Sequence, residues 1–340
     1  MAAGEPQAGE RQESRVRVDL TAAVVAVDAG QPYLLTVDTA APPGTALPAG
    51  PLVPGHRTLQ AGLRSWVEAQ TKRRLEYVEQ LYTFGDRTSS PTGGAEGGGG
   101  SERGDGGADH RSVSIAYLAL VAMTGEPLET QAHWLSWYAL FPWEDRREGE
   151  PPLVRELRDR LVVWGRGNRN AHGGGWEERV DLMFGTGRVP WDEERALERY
   201  EMLYAAGLVD EAFRDRGYPL PLTPGLTFGV SLAADHRRIA ATAISRLRAK
   251  IKYRPVLFEL MPTEFTLSQL QKTAEALSGI PLHKQNFRRL VEQQNLVEET
   301  GGVATDTGGR PAKLMRFRED VHLERPAPGL RVSASRRMNG

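Results

Sequence analysis

The stretch FTLSQLQKTAEALSGIPLHKQNFRRLVEQQNLVEETGGVATDTGGRPAKLMRFR, residues 265–318, decides the fold of the C-terminal region. Apolar residues recur at spacings of three and four over 268–277, and Thr266 or Ser268 can cap the helix that this spacing predicts. A short turn at 278–282 leads into a second predicted helix over 283–295, whose buried stripe is Phe287, Leu290 and Val291. The pair is typical of a helix-turn-helix.

The two helices are followed by the pattern of a β-hairpin. Residues 296–300 and 312–318 have strand character, and the Gly-rich segment 301–311 between them predicts a hairpin loop. Helix, helix, strand, loop and strand, in that order, are the elements of a winged helix-turn-helix. We therefore predict a winged-helix domain over 255–320.

Polar and basic residues occupy the exposed face predicted for the second helix. In a helix-turn-helix this helix enters the major groove, where such side chains reach base edges and phosphates, while a wing can contact the backbone or a minor groove. The predicted DNA contacts are Lys284, Asn286, Arg288, Arg289, Arg310 and Lys313. The alternative is a winged helix that binds protein partners and carries a solvated basic face.

The distribution of charge favours double-stranded DNA as the partner. The whole chain has a formal net charge of −1, but residues 236–318 contain 15 Arg or Lys against seven Asp or Glu, a difference of +8. A local excess of positive charge is expected where phosphates are neutralised.

Composition limits the class of protein. The chain has 340 residues, of which 40% are hydrophobic and 26% charged, and it has no cysteine. It is long enough for two or three folded domains, and disulfides, thiolate metal sites and cysteine nucleophiles are excluded. No apolar run approaches the roughly 20 residues of a membrane helix, and no signal peptide is evident. We expect a cytoplasmic protein with disordered tails at 1–15 and 321–340.

The N-terminal region, residues 16–232, has the pattern of a mixed sheet with helices packed against it. The predicted elements are a hairpin over 16–37, a helix over 58–75 and strands over 77–85 and 112–123. Strands and helices that are mixed in this way indicate an α+β domain.

Two segments of this region allow two interpretations. The Gly-rich segment 86–111 predicts a disordered insertion; the alternative, a phosphate-binding loop, requires a strand-to-helix context and a Lys-Ser/Thr ending that are not present. The aromatic segment HWLSWYALFPW, residues 133–143, predicts buried core, and the alternative is a surface that stacks on a nucleobase.

A basic amphipathic helix is predicted over 236–252, within a linker at 233–254. Ile239, Ala243, Leu247 and Ile251 recur every four residues, with Arg and Lys on the other faces. The helix suits a linker or a dimer contact. Binding to a membrane surface is the alternative, which the Ala-rich apolar face weakens.

Several short segments resemble a known family. They are VEQLYTFGD at 78–86, SVSIAY at 112–117, FELMPTEFTL at 258–267, NFRR at 286–289 and GRPAKL at 309–314. In this order they resemble the Nudix-related transcriptional regulators of NAD metabolism, of the NrtR and NadQ type, over residues 16–318. The long section between 124 and 232 is more similar to the NadQ branch.

The resemblance implies a fold, a function and partners. It implies a Nudix-like mixed sheet in an α/β/α sandwich followed by the winged helix-turn-helix. It further implies a homodimeric repressor of NAD biosynthesis or salvage genes that binds a palindromic operator. The expected effector is a nucleotide such as ADP-ribose, NAD or ATP, and no cofactor is required.

The hydrolase motif of the Nudix family is degraded in this chain. The motif places a Gly, a Glu and then Arg-Glu-apolar-X-Glu-Glu-X-Gly so that carboxylates on one helix face hold divalent metals. With its start at Gly50, only Gly50, Arg64 and Glu68 match, and the unmatched positions hold His56, Ser65, Ala69 and Thr71. One carboxylate cannot hold those metals, so we predict a sensor without catalytic residues or a metal site, not an enzyme.

The effector contacts follow from the position of this motif. Arg64 and Glu68 are predicted to line the nucleotide pocket, and Tyr82, Phe84 and Tyr117 are predicted to contact base or ribose, although each of these rings also suits an ordinary core. The alternative function is a Nudix-type hydrolase of ADP-ribose or a related nucleotide that recruits other carboxylates, such as Glu76, Glu79 or Asp86. Metal-dependent turnover would distinguish the two.

Overall fold

A computed structural model of the chain describes residues 16–87, 111–167, 175–220, 225, 227–305 and 311–318. The tails predicted at 1–15 and 321–340 lie outside these ranges, as do most of the Gly-rich segment and the predicted DNA contact Arg310. The predictions for these parts of the chain remain predictions.

A mixed sheet forms the centre of the N-terminal domain. Its strands are β1 (Val16–Asp28), β2 (Gln31–Asp38), β3 (Thr45–Ala46), β4 (Ala49–Pro51), β5 (Tyr77–Arg87), β6 (Arg111–Leu120) and β7 (Ala132–Ser136). The order is β3-β2-β1-β6-β5, with β4 also paired to β1 and β7 to β2. Strands β1 and β6 are parallel and the other pairs are antiparallel. The predicted mixed sheet is confirmed.

One face of the sheet is covered by α1 (Leu59–Thr71). Leu63 and Val67 are fully buried there, because their spacing of four places both on the side of α1 that meets the sheet. The helix is shorter than predicted: Lys72 adopts a left-handed conformation with φ +60° and its N–H bonds to the Glu68 carbonyl, which ends the helix.

The other face is covered by a set of helices. They are α2 (Trp137–Leu140), α3 (Leu153–Gly167), α4 (Trp176–Phe184), α5 (Ala196–Ala205), α6 (Asp210–Arg214) and α7 (His236–Ile251). Trp137, Phe141 and Trp143 are fully buried among them, so the aromatic segment 133–143 forms core. Helices on both faces give the predicted α/β/α sandwich.

The C-terminal domain is a winged helix. A 3-10 turn at Val256–Leu260 precedes α8 (Leu267–Ser278), α9 (Lys284–Gln293), β8 (Val297–Ala304) and β9 (Ala312–Phe317). Thr266 and Gln269 cap α8 reciprocally. Strand β8 extends into the predicted hairpin loop, because an irregularity between Glu299 and Val303 absorbs the extra residues and pairing resumes at Val303.

The C-terminal end of α8 is held by groups from the N-terminal domain. The Ala276 carbonyl accepts a hydrogen bond from the Tyr138 hydroxyl (2.7 Å), and the Leu277 carbonyl accepts one from Arg248 Nε (2.8 Å). The Gly279 carbonyl accepts one from the Arg146 backbone N–H (2.7 Å). Gly279 has φ +72°, and a Cβ there would lie 2.4 Å from the Glu144 carbonyl oxygen. The two domains therefore meet at a close contact that only glycine permits.

No helix in the described ranges is long and apolar enough to cross a bilayer.

Candidate DNA interface and effector site

Helix α9 is fixed on α8 through the turn that joins them. The Leu282 N–H donates to Glu275 Oε1 (2.9 Å), and the Gln271 side-chain amide donates to the Leu282 carbonyl (2.9 Å). Phe287 and Val291 form the buried side of α9. These contacts fix which face of α9 is presented to solvent.

The predicted DNA contacts on α9 lie together on that outer surface. Lys284, Asn286 and Arg289 are exposed and Arg288 is half-buried. None of the four side chains has an ion pair or hydrogen bond to another residue in the part of the chain that the structure describes. Three cations and an amide that are free in this way can meet phosphates and base edges without first breaking a protein contact.

The wing presents its basic residues differently. Lys313 is exposed on β9 but pairs with Glu299 (2.7 Å), and Arg316 pairs with Glu298 (2.6 Å). Lys313 would have to exchange a carboxylate for a phosphate to contact DNA.

The predicted effector contacts are divided between the two faces of the sheet. On the α1 side, Arg64 donates to the carbonyls of Leu75 (2.9 Å) and Glu76 (3.0 Å), and Glu68 pairs with Arg74 (2.9 Å). Tyr117 is 1% exposed in the core beneath α1, and burial raises its pKa. Arg64 thus holds in place the segment that connects α1 to β5.

The remaining two predicted contacts belong to the opposite face. Phe84 packs against the core that includes α7, and Tyr82 is exposed with its ring 6.0 Å from the Arg246 guanidinium. The structure therefore does not gather the five residues into one pocket.

The degraded Nudix motif is packed by aromatic groups. Trp66 Nε1 donates to the Pro51 carbonyl (2.9 Å), and the His56 ring lies edge-on to Trp66 at 6.2 Å. A Cβ at Gly50 would lie 2.3 Å from the Trp66 ring, so Trp66 explains why glycine stands there. Among the described residues, no group of three His, Asp or Glu is placed to hold a metal ion.

A buried ionic cluster was not anticipated from the sequence. Glu144 Oε1 and Oε2 accept from Arg199 at 2.6 and 2.8 Å, and Glu144 also pairs with Arg248. All three side chains are fully buried. Although burial alone would raise the pKa of Glu144, the two guanidinium groups hold it below its ordinary value. The cluster ties α5, α7 and the end of α8 together.

A signal for this cluster was present in the predicted helix over 236–252. Arg237 and Arg248 lie eleven residues apart, in line with the buried Ala241 and Ile244 on one face of α7. Two of the basic residues on the other faces of the helix are therefore buried, since Arg237 is 0% and Arg248 2% exposed. The apolar face of α7 is likewise buried within the chain.

Comparison with known proteins shows what kind of domain lies at the C-terminus. Residues 257–317 match the family model of the NrtR DNA-binding winged helix domain. The "ADPR responsive transcriptional repressor NtrR" of Acinetobacter baylyi (strain ATCC 33305 / BD413 / ADP1) is 40% identical over 88 residues, which are 26% of this chain and 35% of the relative. The match thus spans about a third of the curated relative.

Two solved structures superpose on most of the chain. NrtR of Shewanella oneidensis, solved with a 27mer DNA, superposes with a TM-score of 0.50 at 20% identity and covers 89% of this chain and 94% of its own. A MutT/nudix family protein from Enterococcus faecalis superposes with a TM-score of 0.50 at 15% identity. The superposition covers 92% of this chain and 90% of that protein. At these identities the likeness establishes the fold.

The comparisons confirm the predicted resemblance to NrtR, but they do not separate the NadQ branch, which remains a prediction. This chain joins a domain with the Nudix fold to a C-terminal winged helix domain of the NrtR type.

Proposed function

We propose that the chain is a nucleotide-responsive transcriptional regulator, a repressor, that binds operator DNA through its winged helix. One observation carries the proposal: α9 presents Lys284, Asn286 and Arg289 exposed and without partners among the described residues. The match to the NrtR winged helix domain and the name of the Acinetobacter relative support the same function.

The effector that we propose first is ADP-ribose, since the relative is named as responsive to it; ATP and NAD are the other candidates. The target genes are those of NAD biosynthesis or salvage. An effector that binds one arrangement of the protein more tightly shifts the population and thereby changes DNA affinity.

We further propose that the N-terminal domain binds the nucleotide without cleaving it. The alternative, a hydrolase with recruited carboxylates, is disfavoured because Glu79 is engaged by Lys250 and by the Tyr77 hydroxyl (2.7 Å). Incubation of the protein with ADP-ribose and Mg²⁺ or Mn²⁺ tests this directly, and metal-dependent turnover would favour the hydrolase.

A homodimer on a palindromic operator is the assembly that we propose. Two winged helices related by a twofold axis would bind two half-sites. The apolar face of α7 is already used inside the chain, so the dimer contact must lie on another surface. Sedimentation of the protein alone and with DNA measures the stoichiometry.

The experiment that tests the DNA function is a fluorescence-anisotropy titration against the promoter region beside the gene, at fixed salt. We expect Arg288→Ala to weaken binding by about 1–3 kcal/mol, or roughly five- to 150-fold. Arg155→Ala is the matched control, because Arg155 is an exposed arginine on α3 without an ion pair among the described residues.

The same titration is repeated with ADP-ribose, NAD and ATP. A nucleotide that shifts the binding curve identifies the effector. Equal binding to promoter and random DNA, or equal affinities of the two arginine variants, would contradict the proposal and favour a winged helix that binds proteins.

A further inference from the structure

A cavity of about 260 Å³ opens where α7 begins, on the face of the sheet that α7 covers. Along β1 this face changes from apolar Ala23 and Val25 to polar Thr21, Asp19 and Arg17. Along β6 it changes in the same way, and Ser114 lines the cavity. Helix α7 therefore packs on the apolar part of this face and leaves the polar part uncovered.

The floor of the cavity is a pair of hydroxyl groups. Thr21 Oγ1 lies 2.9 Å from Ser114 Oγ, and the Thr21 side chain is almost completely buried. Asp19 lies two residues before Thr21 on the same face of β1. Its carboxylate pairs with Arg17 (3.0 Å), whose side chain is 66% exposed at the mouth of the cavity. The second carboxylate that lines the cavity, Asp235, pairs with Arg238 (2.6 Å). Two hydroxyls and two carboxylates therefore line the cavity, and a cation lies at the entrance.

The wall on the α7 side supplies a neutral ring. His236 Nδ1 accepts the Leu47 N–H (2.9 Å), so the proton of the neutral imidazole is on Nε2, which is a donor. Burial, and secondarily the charge of Arg214, lowers the pKa of His236 to about 4. Gly50, the first position of the degraded Nudix motif, lines the cavity too.

We infer that this cavity is the subsite for the ribosyl phosphate end of the effector nucleotide, an inference that rests on the proposed function. Carboxylate, hydroxyl and imidazole groups suit the vicinal hydroxyls of a pentose, and Arg17 suits its phosphate. A cavity of about 260 Å³ admits a pentose but not a whole dinucleotide, so the rest of the ligand extends past Arg17.

The position of the cavity links the ligand to the DNA-binding domain. The first turn of α7 lines the cavity through His236 and Ile239, and the fourth turn carries Arg248, whose Nε holds the Leu277 carbonyl at the end of α8. A ligand in this subsite therefore contacts the same helix that fixes the winged helix. None of the five effector contacts predicted from sequence lines this cavity.

The test measures ADP-ribose binding to the full chain by calorimetry. We expect Asp19→Asn, and separately the pair Thr21→Val with Ser114→Ala, to weaken binding by about tenfold, since each removes polar contacts. Asp159→Asn is the matched control, because Asp159 is an exposed carboxylate on α3 that does not line the cavity, and it keeps wild-type affinity. Ribose 5-phosphate is expected to compete with ADP-ribose, whereas inorganic phosphate is not. Thermal melts identify any variant that is misfolded, and Asp19→Asn and the hydroxyl pair serve as independent tests.

The outcomes separate this inference from the proposed function. If Asp19→Asn and the hydroxyl variant bind ADP-ribose as tightly as the wild type, or if Asp159→Asn loses as much affinity as they do, the subsite is wrong and the regulator stands. If no nucleotide changes the DNA affinity of the wild type, nucleotide sensing itself is wrong.

Discussion

Helix α7 carries five Arg or Lys residues and α9 carries three, and both helices lie in the basic region 236–318. On α7, four of the five pair with carboxylates: Arg237 with Glu211, Arg238 with Glu201 and Asp235, Arg248 with Glu144, and Lys250 with Glu79. On α9, Lys284, Arg288 and Arg289 have no carboxylate partner among the described residues.

The difference teaches that a count of charges along a sequence combines two unrelated roles. Four of the five positive charges of α7 are neutralised by carboxylates of the protein, and one of them, Arg248, also holds the winged helix. The positive charges of α9 remain available to phosphates. The local charge of +8 therefore overstates the charge that the surface can offer to DNA.

The largest effect is expected where a charge on α7 loses its partner. Glu144→Gln leaves Arg199 and Arg248 buried without a counter-ion, and we expect the free energy of unfolding to fall by about 3–5 kcal/mol. Urea denaturation measures it. Glu201→Gln is the control, because this partner of Arg238 is 43% exposed and its loss should cost about 0–1 kcal/mol. Equal decreases in the unfolding free energy of the two variants would contradict the larger contribution that we assign to the buried cluster.

The same cluster predicts a dependence on pH. The pKa of Glu144 is lowered in the folded protein, so its contribution to stability is present above the ordinary value of 4.5 and is lost as the pH falls below it. The wild type should therefore lose stability relative to Glu144→Gln as the pH falls below about 4.5. Parallel acid-unfolding curves would contradict this.

A smaller effect distinguishes the helices by salt dependence. Arg289→Ala should reduce the slope of log affinity against log salt by about 1, since one phosphate contact is lost. Arg246→Ala on α7 should leave the slope unchanged, because Arg246 is exposed beside Tyr82, outside the winged helix. A reduced slope for Arg246→Ala would extend the DNA interface to α7.

The smallest effect is expected in the wing. Glu299→Gln removes the partner of Lys313 and one negative charge near the expected phosphates, so DNA affinity should rise a few-fold, or by under about 1 kcal/mol. A competition assay against wild type at low salt resolves a change of this size. Unchanged affinity would place Lys313 outside the interface.

Much of the fold could be predicted from local pattern. Hydrophobic spacing gave both helices of the winged helix to within two residues at each end, because the buried stripe of an amphipathic helix is fixed by its own sequence. The end of α1 was predicted four residues late, since the left-handed turn at Lys72 has no Gly or Asn to mark it. The extent of β8 was also missed, because pairing with β9 decides it.

The site could be predicted only in part. The exposed face of α9 follows from the positions of Phe287 and Val291 alone. The effector contacts could not be placed in this way, because the face of the sheet on which Tyr82 or Tyr117 lies depends on strand register and on an irregularity of β5 between Gln80 and Thr83.

The sequence by itself determined the winged helix, the basic face of α9 and the loss of the Nudix carboxylates, because each depends on residues that are close together in the chain. Only the tertiary structure decided which charges are free and where a cavity lies. Glu144 reaches Arg248 from 104 residues away, and Thr21 reaches Ser114 from 93. Contacts over such distances are set by the packing of whole elements, which no local pattern encodes.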